Sequence, residues 1–443
     1  MNPMTRIARL SAAFLASNLT RGAIAFVLSL IVGRALGMER FGRWVLCTTW
    51  ASTLTIAVDF GFGLLLPRDG ARADSRIGEL CGTALVARLA AAVPAAIVLA
   101  VAASRVSVDA ETIAGLRVAA LLGVAGATYG CFGGAFRSQP RWVPTVLILE
   151  TGWAAAQMAA SWVVLFGSPA RSGIVAVLTI ATMAQIGQLL SVMVVWRTAF
   201  PGERVRVPSR TAVKHTCARA LPFAASGIVA NLQTRVAPLL LGYLSTQSEL
   251  GAFAAAARFG TTARLAPGAI FAGALPVLSR EHTDDPVAGS QAFASFHRAM
   301  VALAALTAVP CVVLGPLLLR AIYGTRFVGA APALMVIGIG LLPALTNSAK
   351  KIFLYATGDE RFVLQWSTVS LVIQVISGIV FMPRYGSVGA AAAIVIGEAV
   401  IWWPLADRAR RTAPRSNPHH APASTLAPVA PVVGDVPDPA AAR

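Results

Sequence analysis

Apolar residues in this chain run in long blocks, separated by short polar segments in which arginine is frequent. A helix that crosses a bilayer needs about 20 mainly apolar residues. Twelve blocks qualify: 11–33, 44–66, 77–103, 113–135, 142–167, 173–196, 221–244, 251–278, 294–319, 327–347, 362–381 and 387–406. The pattern predicts an all-α integral membrane protein with 12 transmembrane helices. Only the connections 197–220 and 279–293 are long. From 407 to 443 the sequence turns Pro/Ala-rich, with seven prolines between Pro414 and Pro439, and reads as a disordered tail. The first block follows Arg6 and Arg9, is too long for a signal-peptide core, and reads as an uncleaved first span.

Hydrophobic residues make up 56% of the chain and charged residues 13%. A soluble domain carries about 25% charged residues, so a water-exposed globule is excluded. The net charge of +18 reads as loop cations that set orientation. With the N-terminus cytoplasmic, the inner segments hold 22 of the 37 Lys+Arg and the outer segments 8, which predicts both termini on the cytoplasmic side. Cys47, Cys81, Cys131, Cys217 and Cys311 are scattered and form no CxxC, so neither a disulfide framework nor a zinc site is expected. The sequence holds no P-loop, HExxH or GxSxG string, and the outer connections are too short for a catalytic domain. The expectation is a protein that is not an enzyme and has no cofactor or metal.

Chemistry concentrates in charges placed inside the apolar blocks. These include Arg21, Arg88, Arg117, Arg235, Arg258 and Arg264, with the acids Asp59, Glu150 and Glu398. An arginine at the centre of a span costs about 2.5–3.5 kcal/mol, so most of the six must face protein, water or one another. Arg117 lies near the end of its block, where snorkelling explains it. Asn18 and Arg21 share one helical face, as do Asn231 and Arg235. Arg258 and Arg264 are six residues apart and cannot point the same way. Three acids can neutralise three arginines, and the surplus predicts a wet cationic cavity suited to an anion. Arg21, Arg235, Arg258, Arg264, Asn18 and Asn231 are the candidate ligands. Asp59, Glu150 and Glu398 are candidates for ion pairing or for proton or ion coupling. Asp59 opens the string DFGFG, whose glycines permit a hinge.

Sliding the sequence by 209 residues sets 14–67 against 223–276 without a gap, with twelve identities that include Gly33/Gly242, Gly42/Gly251 and Pro67/Pro276. Equal topology in the two halves predicts a parallel repeat about an axis along the membrane normal, with a site between the halves. The expected organisation is a cytoplasmic segment 1–10, a six-helix lobe 11–196, a basic cytoplasmic linker 197–220, a second six-helix lobe 221–406, and the tail.

Several strings carry a family resemblance: IVGRALGMERFGRW (31–44), DFGFG from Asp59, LLLGYLSTQSELGAFAAAARF (239–259), ALPVLSRE (274–281), RAIYGTRFVGAAPAL (320–334), YATGDERF (355–362) and MPRYGSVGAAAA (382–393). In order and spacing they resemble the polysaccharide transporter branch of the multidrug/oligosaccharidyl-lipid/polysaccharide exporter superfamily, the Wzx-type flippases. The resemblance implies two lobes forming a V, with spans 1, 2, 7 and 8 lining a cationic cavity. It implies export of an undecaprenyl-diphosphate-linked oligosaccharide across the bacterial cytoplasmic (inner) membrane during surface polysaccharide synthesis. Membrane lipids and the polysaccharide polymerase machinery would be its partners, and no nucleic acid is expected. The alternatives are an ion-coupled drug exporter of the same superfamily, disfavoured by the cationic excess, and a membrane glycan polymerase or ligase, disfavoured by the short outer connections.

Overall fold

A computed structural model describes residues 3–71, 76–106, 109–167, 173–206, 208–264 and 286–412. The described residues are helical, with no strand among them. The helices are α1 (Pro3–Ala57), α2 (Phe62–Gly70), α3 (Ile77–Val106), α4 (Ala110–Arg137), α5 (Val143–Gly167), α6 (Ile174–Ala199), α7 (Arg210–Leu244), α8 (Gln247–Ala263), α9 (Pro286–Val313), α10 (Gly315–Ile322), α11 (Ala331–Ala356) and α12 (Glu360–Thr412). A 3-10 turn, Thr325–Ala330, precedes α11.

Two of these are bent pairs of helices. The backbone of α1 leaves helical geometry at Gly37, where φ is 75°, and α12 does so at Gly386, where φ is 49°. Glycine tolerates these angles without the Cβ clash that other residues meet. So α1 carries the first two expected spans and α12 the last two. Seven helical stretches, those of α1, α3, α4, α6, α9, α11 with its 3-10 turn, and α12, are long and apolar enough to cross a membrane. The less apolar α5, α7 and α8 also fall on expected spans, and residues 265–278 of the eighth lie outside the described residues.

Several boundaries differ from the sequence reading. The second span is not continuous: helix stops at Ala57 and resumes at Phe62, with Phe60 at φ 47° and Gly61 at φ 82°. The DFGFG string is therefore an actual break. The tenth span continues past residue 347 to Ala356, which draws Lys350 and Lys351 into the helix. The linker 197–220 contracts, because α6 extends to Ala199 and α7 begins at Arg210. Helix also covers 3–10 and 407–412, and the tail from 413 lies outside the described residues. Apart from that break, each difference is a helix that extends past its apolar block, because its last turns satisfy their backbone polar groups internally whatever the side chains are.

Capping follows simple rules. The Asp109 carboxylate accepts from the Thr112 amide at 2.8 Å to start α4, and the Thr246 hydroxyl accepts from the Glu249 amide at 3.2 Å to start α8. Between them the helices build three cores. The largest lies around the Gly37 end of the bundle and joins both halves of the chain, with Phe41, Trp44 and Leu46 of α1, Leu250 and Phe253 of α8, and Tyr323 and Phe327. At the opposite end the cores are separate. One gathers Phe62, Ile77, Phe132, Phe136 and Trp196, the other Leu354, Val363, Ile401 and Leu405.

The shared core contains a reciprocal contact. A Cβ added to Gly42 would overlap the carbonyl oxygen of Gln247, and one added to Gly251 would overlap that of Met38. Both members of this exchange are offset by 209 residues, the offset at which the halves align. The contact is therefore reciprocal: Gly42 meets Gln247 while Gly251 meets Met38.

Candidate functional site

The intramembrane acids are all taken by arginines. Asp59, at the break between α1 and α2, pairs with Arg88 of α3. Arg88 is buried, and its guanidinium also reaches the Ala127 carbonyl at 3.4 Å and the Cys131 Sγ at 3.7 Å. The other Asp59 carboxylate oxygen accepts from the Gly63 amide at 3.2 Å, so one side chain both caps α2 and neutralises a buried cation.

Glu150 on α5 is the most crowded of the three. Arg21 Nη1 donates to its Oε2 at 2.6 Å, and Arg137 Nη2 to its Oε1 at 2.8 Å. The Tyr129 hydroxyl donates to that same Oε1. The Glu150 side chain is 1% exposed, whereas those of Arg21 and Arg137 are 41% and 38% exposed. In the second half, Glu398 lies 3.7 Å from Arg264, the residue that caps the C-terminus of α8. Its Oε2 also accepts from Asn347 Nδ2 at 3.0 Å.

Arg235 and Arg258 form no ion pair among the described residues. Arg235 donates only to the adjacent Thr234 hydroxyl at 3.0 Å, and its Nε is buried without a partner. Arg258 lies on α8 beside Phe259, whose ring meets Phe26 of α1 edge-on at 6.2 Å. Asn18 is exposed on α1, and Asn231 turns back to its own helix, donating to the Gly227 carbonyl at 2.8 Å. The structure thus brings Arg21 together with Glu150 and Arg264 with Glu398, and leaves Arg235 and Arg258 without an ion-pair partner among the described residues.

Sequence reasoning missed three participants. Arg137 and Tyr129 sit on α4, where Arg137 reads as a cation of the following connection. Its contact with Glu150 across a turn between helices has no local signature. Lys350 lies past the end of the tenth apolar block; it is buried, donates to the Trp402 carbonyl at 3.2 Å and sits 4.1 Å from the centre of the Trp402 ring.

A family model described as "Polysaccharide biosynthesis protein" matches residues 8–282. No curated protein matches the chain. Among solved structures, an inward-facing multidrug resistance MATE family transporter of the MOP superfamily superposes with a TM-score of 0.71 at 14% identity, over 89% of this chain and 96% of that one. The lipid II flippase MurJ in an inward closed conformation gives 0.72 at 11% identity, over 91% and 87%. An outward-facing MATE transporter gives 0.58 at 14% identity, over 93% and 96%.

Proposed function

The chain belongs to the polysaccharide biosynthesis protein family, a membrane transporter with the MOP superfamily fold, and on that premise we propose that it flips an undecaprenyl-diphosphate-linked oligosaccharide from the inner to the outer leaflet of the bacterial cytoplasmic membrane. Twelve spans form lobes 11–196 and 221–406, both termini are cytoplasmic, and the lobes rock to open the Gly37 end and the opposite end in turn, which gives alternating access. The protein transports its substrate and makes or breaks no bond in it.

The observation that carries this reading is the cation surplus. With Asp59, Glu150 and Glu398 each held by an arginine, Arg235 on α7 and Arg258 on α8 have no acid paired with them among the described residues. Cations left facing lipid would cost about 2.5–3.5 kcal/mol each, so a hydrated space between the halves and an anionic guest account for them best. Guanidinium groups bind phosphate oxygens through paired N–H donors. A drug exporter, whose guests are usually cationic, would leave acids free instead. The inward-open state fits the two separate cores at one end and the shared core at the other.

An outward-moving diphosphate carrying two negative charges gains about 4–5 kcal/mol per 100 mV of inside-negative potential, so no nucleotide hydrolysis is required. To test the reading, Arg21→Ala and Arg235→Ala are introduced into cells that depend on this exporter. Surface polysaccharide falls in both at unchanged protein level; normal polysaccharide in both removes the anion site.

A further inference from the structure

Glu150 is held in an arrangement that neutralising a single arginine does not require. Its carboxylate is shut off from solvent, yet it accepts from two guanidiniums on different helices and from a tyrosine hydroxyl. One arginine suffices to balance its charge, so the cluster keeps a net charge of +1. Each guanidinium has five N–H donors. Each spends one of them on Glu150 and keeps more than a third of its side chain exposed. Arg21 donates to one carboxylate oxygen and Arg137 to the other, so a single buried carboxylate holds both forks. Arg21 lies within an apolar span, where open space that tolerates a guanidinium is hydrated.

We propose that Arg21 and Arg137 form a two-pronged clamp for a diphosphate, one guanidinium for each phosphate, and that Glu150, braced by Tyr129, is the residue that positions them. This rests on the reading of the protein as a flippase for diphosphate-linked lipids and deepens it: the clamp selects two phosphates over one. Arg137 and Arg21 touch the guest, whereas Glu150 acts through them. Tyr129 occupies the same carboxylate oxygen as Arg137, which keeps that oxygen from pulling the guanidinium further in.

The two roles open to Glu150 predict opposite signs. If it only repelled an anion, Glu150→Gln would add a positive charge to the cluster and strengthen binding. If it positions the forks, the same substitution lets two like charges move apart, and the preference for two phosphates falls.

The purified full-length protein is titrated with farnesyl diphosphate and with farnesyl monophosphate as probes. The wild type binds the diphosphate more tightly. Arg137→Ala weakens diphosphate binding about tenfold, as the loss of a charge-assisted paired contact would, and leaves the monophosphate nearly unchanged. Arg137→Lys, which keeps the charge without the fork and guards against misfolding of the alanine variant, loses most of the same preference. Glu150→Gln lowers the diphosphate-to-monophosphate ratio. A wild-type preference that persists in Arg137→Ala and Arg137→Lys, or a Glu150→Gln variant that binds diphosphate more tightly at an unaltered ratio, overturns the clamp and leaves the flippase reading standing. A wild type that binds neither probe overturns both.

Discussion

Arg88 and Asp59 show how unevenly the two members of an ion pair can be exposed. The arginine side chain is 3% exposed and the aspartate 35%. Removing the partner of a buried charge costs about 3–5 kcal/mol, because the remaining ion has lost its compensation without regaining water. Asp59→Asn therefore destabilises the protein by about that amount and lowers its thermal midpoint in detergent, whereas Arg88→Met, which strands a carboxylate already reached by solvent, costs less. Equal midpoints for the two variants would contradict this ordering. The three acids and Arg21, Arg88, Arg235, Arg258 and Arg264 were legible in the sequence as expensive charges. Their partners were not, because a pair such as Arg21 and Glu150 joins residues 129 apart and depends on which helices become neighbours. Arg137 was hidden for a different reason: at the end of an apolar block it looks like any cation in a connection.

At the scale of elements, apolar block length located the helices, and glycine placed their bends. The break after Asp59 followed from DFGFG, while the merger of spans at Gly37 and Gly386 did not, since one glycine among many gives no hint of a left-handed backbone. The close crossing of α1 and α8 separates two kinds of glycine. Gly42 and Gly251 each face a carbonyl of the other helix with no space for a methyl group, whereas a Cβ on Gly152 of α5 meets nothing within 4 Å. Gly42→Ala and Gly251→Ala are each expected to destabilise by about 1–3 kcal/mol through overpacking. Gly152→Ala stabilises by up to about 1 kcal/mol, the usual gain in a helix interior. Denaturant melts of the three variants check the signs, and similar losses in the first two test the equivalence of the crossing's two sides.

Across the whole molecule, the seam at the Gly37 end depends on few polar contacts. Arg34 donates to the carbonyls of Ile322 at 2.7 Å and Ala321 at 2.6 Å, and the Ser29 and Tyr323 hydroxyls meet at 2.9 Å. Cations suit the carbonyl end of a helix, here that of α10. Rocking of the proposed lobes would have to release these contacts while the rest of each lobe stayed packed. Arg34→Ala combined with Tyr323→Phe should make that end open more often. In a variant whose native cysteines are replaced, a cysteine at the fully buried Val32 then reacts faster with a membrane-impermeant maleimide than in the otherwise unaltered protein. An unchanged rate would place the opening elsewhere. The 209-residue offset was legible in the sequence, but which end joins residues from both parts of the chain was not, because that is decided by aromatic packing among Phe41, Tyr323 and Phe327, far apart in sequence.

The crossing of Gly42 and Gly251 also bears on ancestry. When two identical chains meet on a symmetry axis, one small residue in the gene clears space on both sides at once. Written into a single polypeptide, the same clearance must be encoded twice, and each copy is then exposed to mutation on its own. Both glycines stand here, while Arg21 faces Ala230 in the alignment. The two parts of the chain share the clearance without sharing the charge.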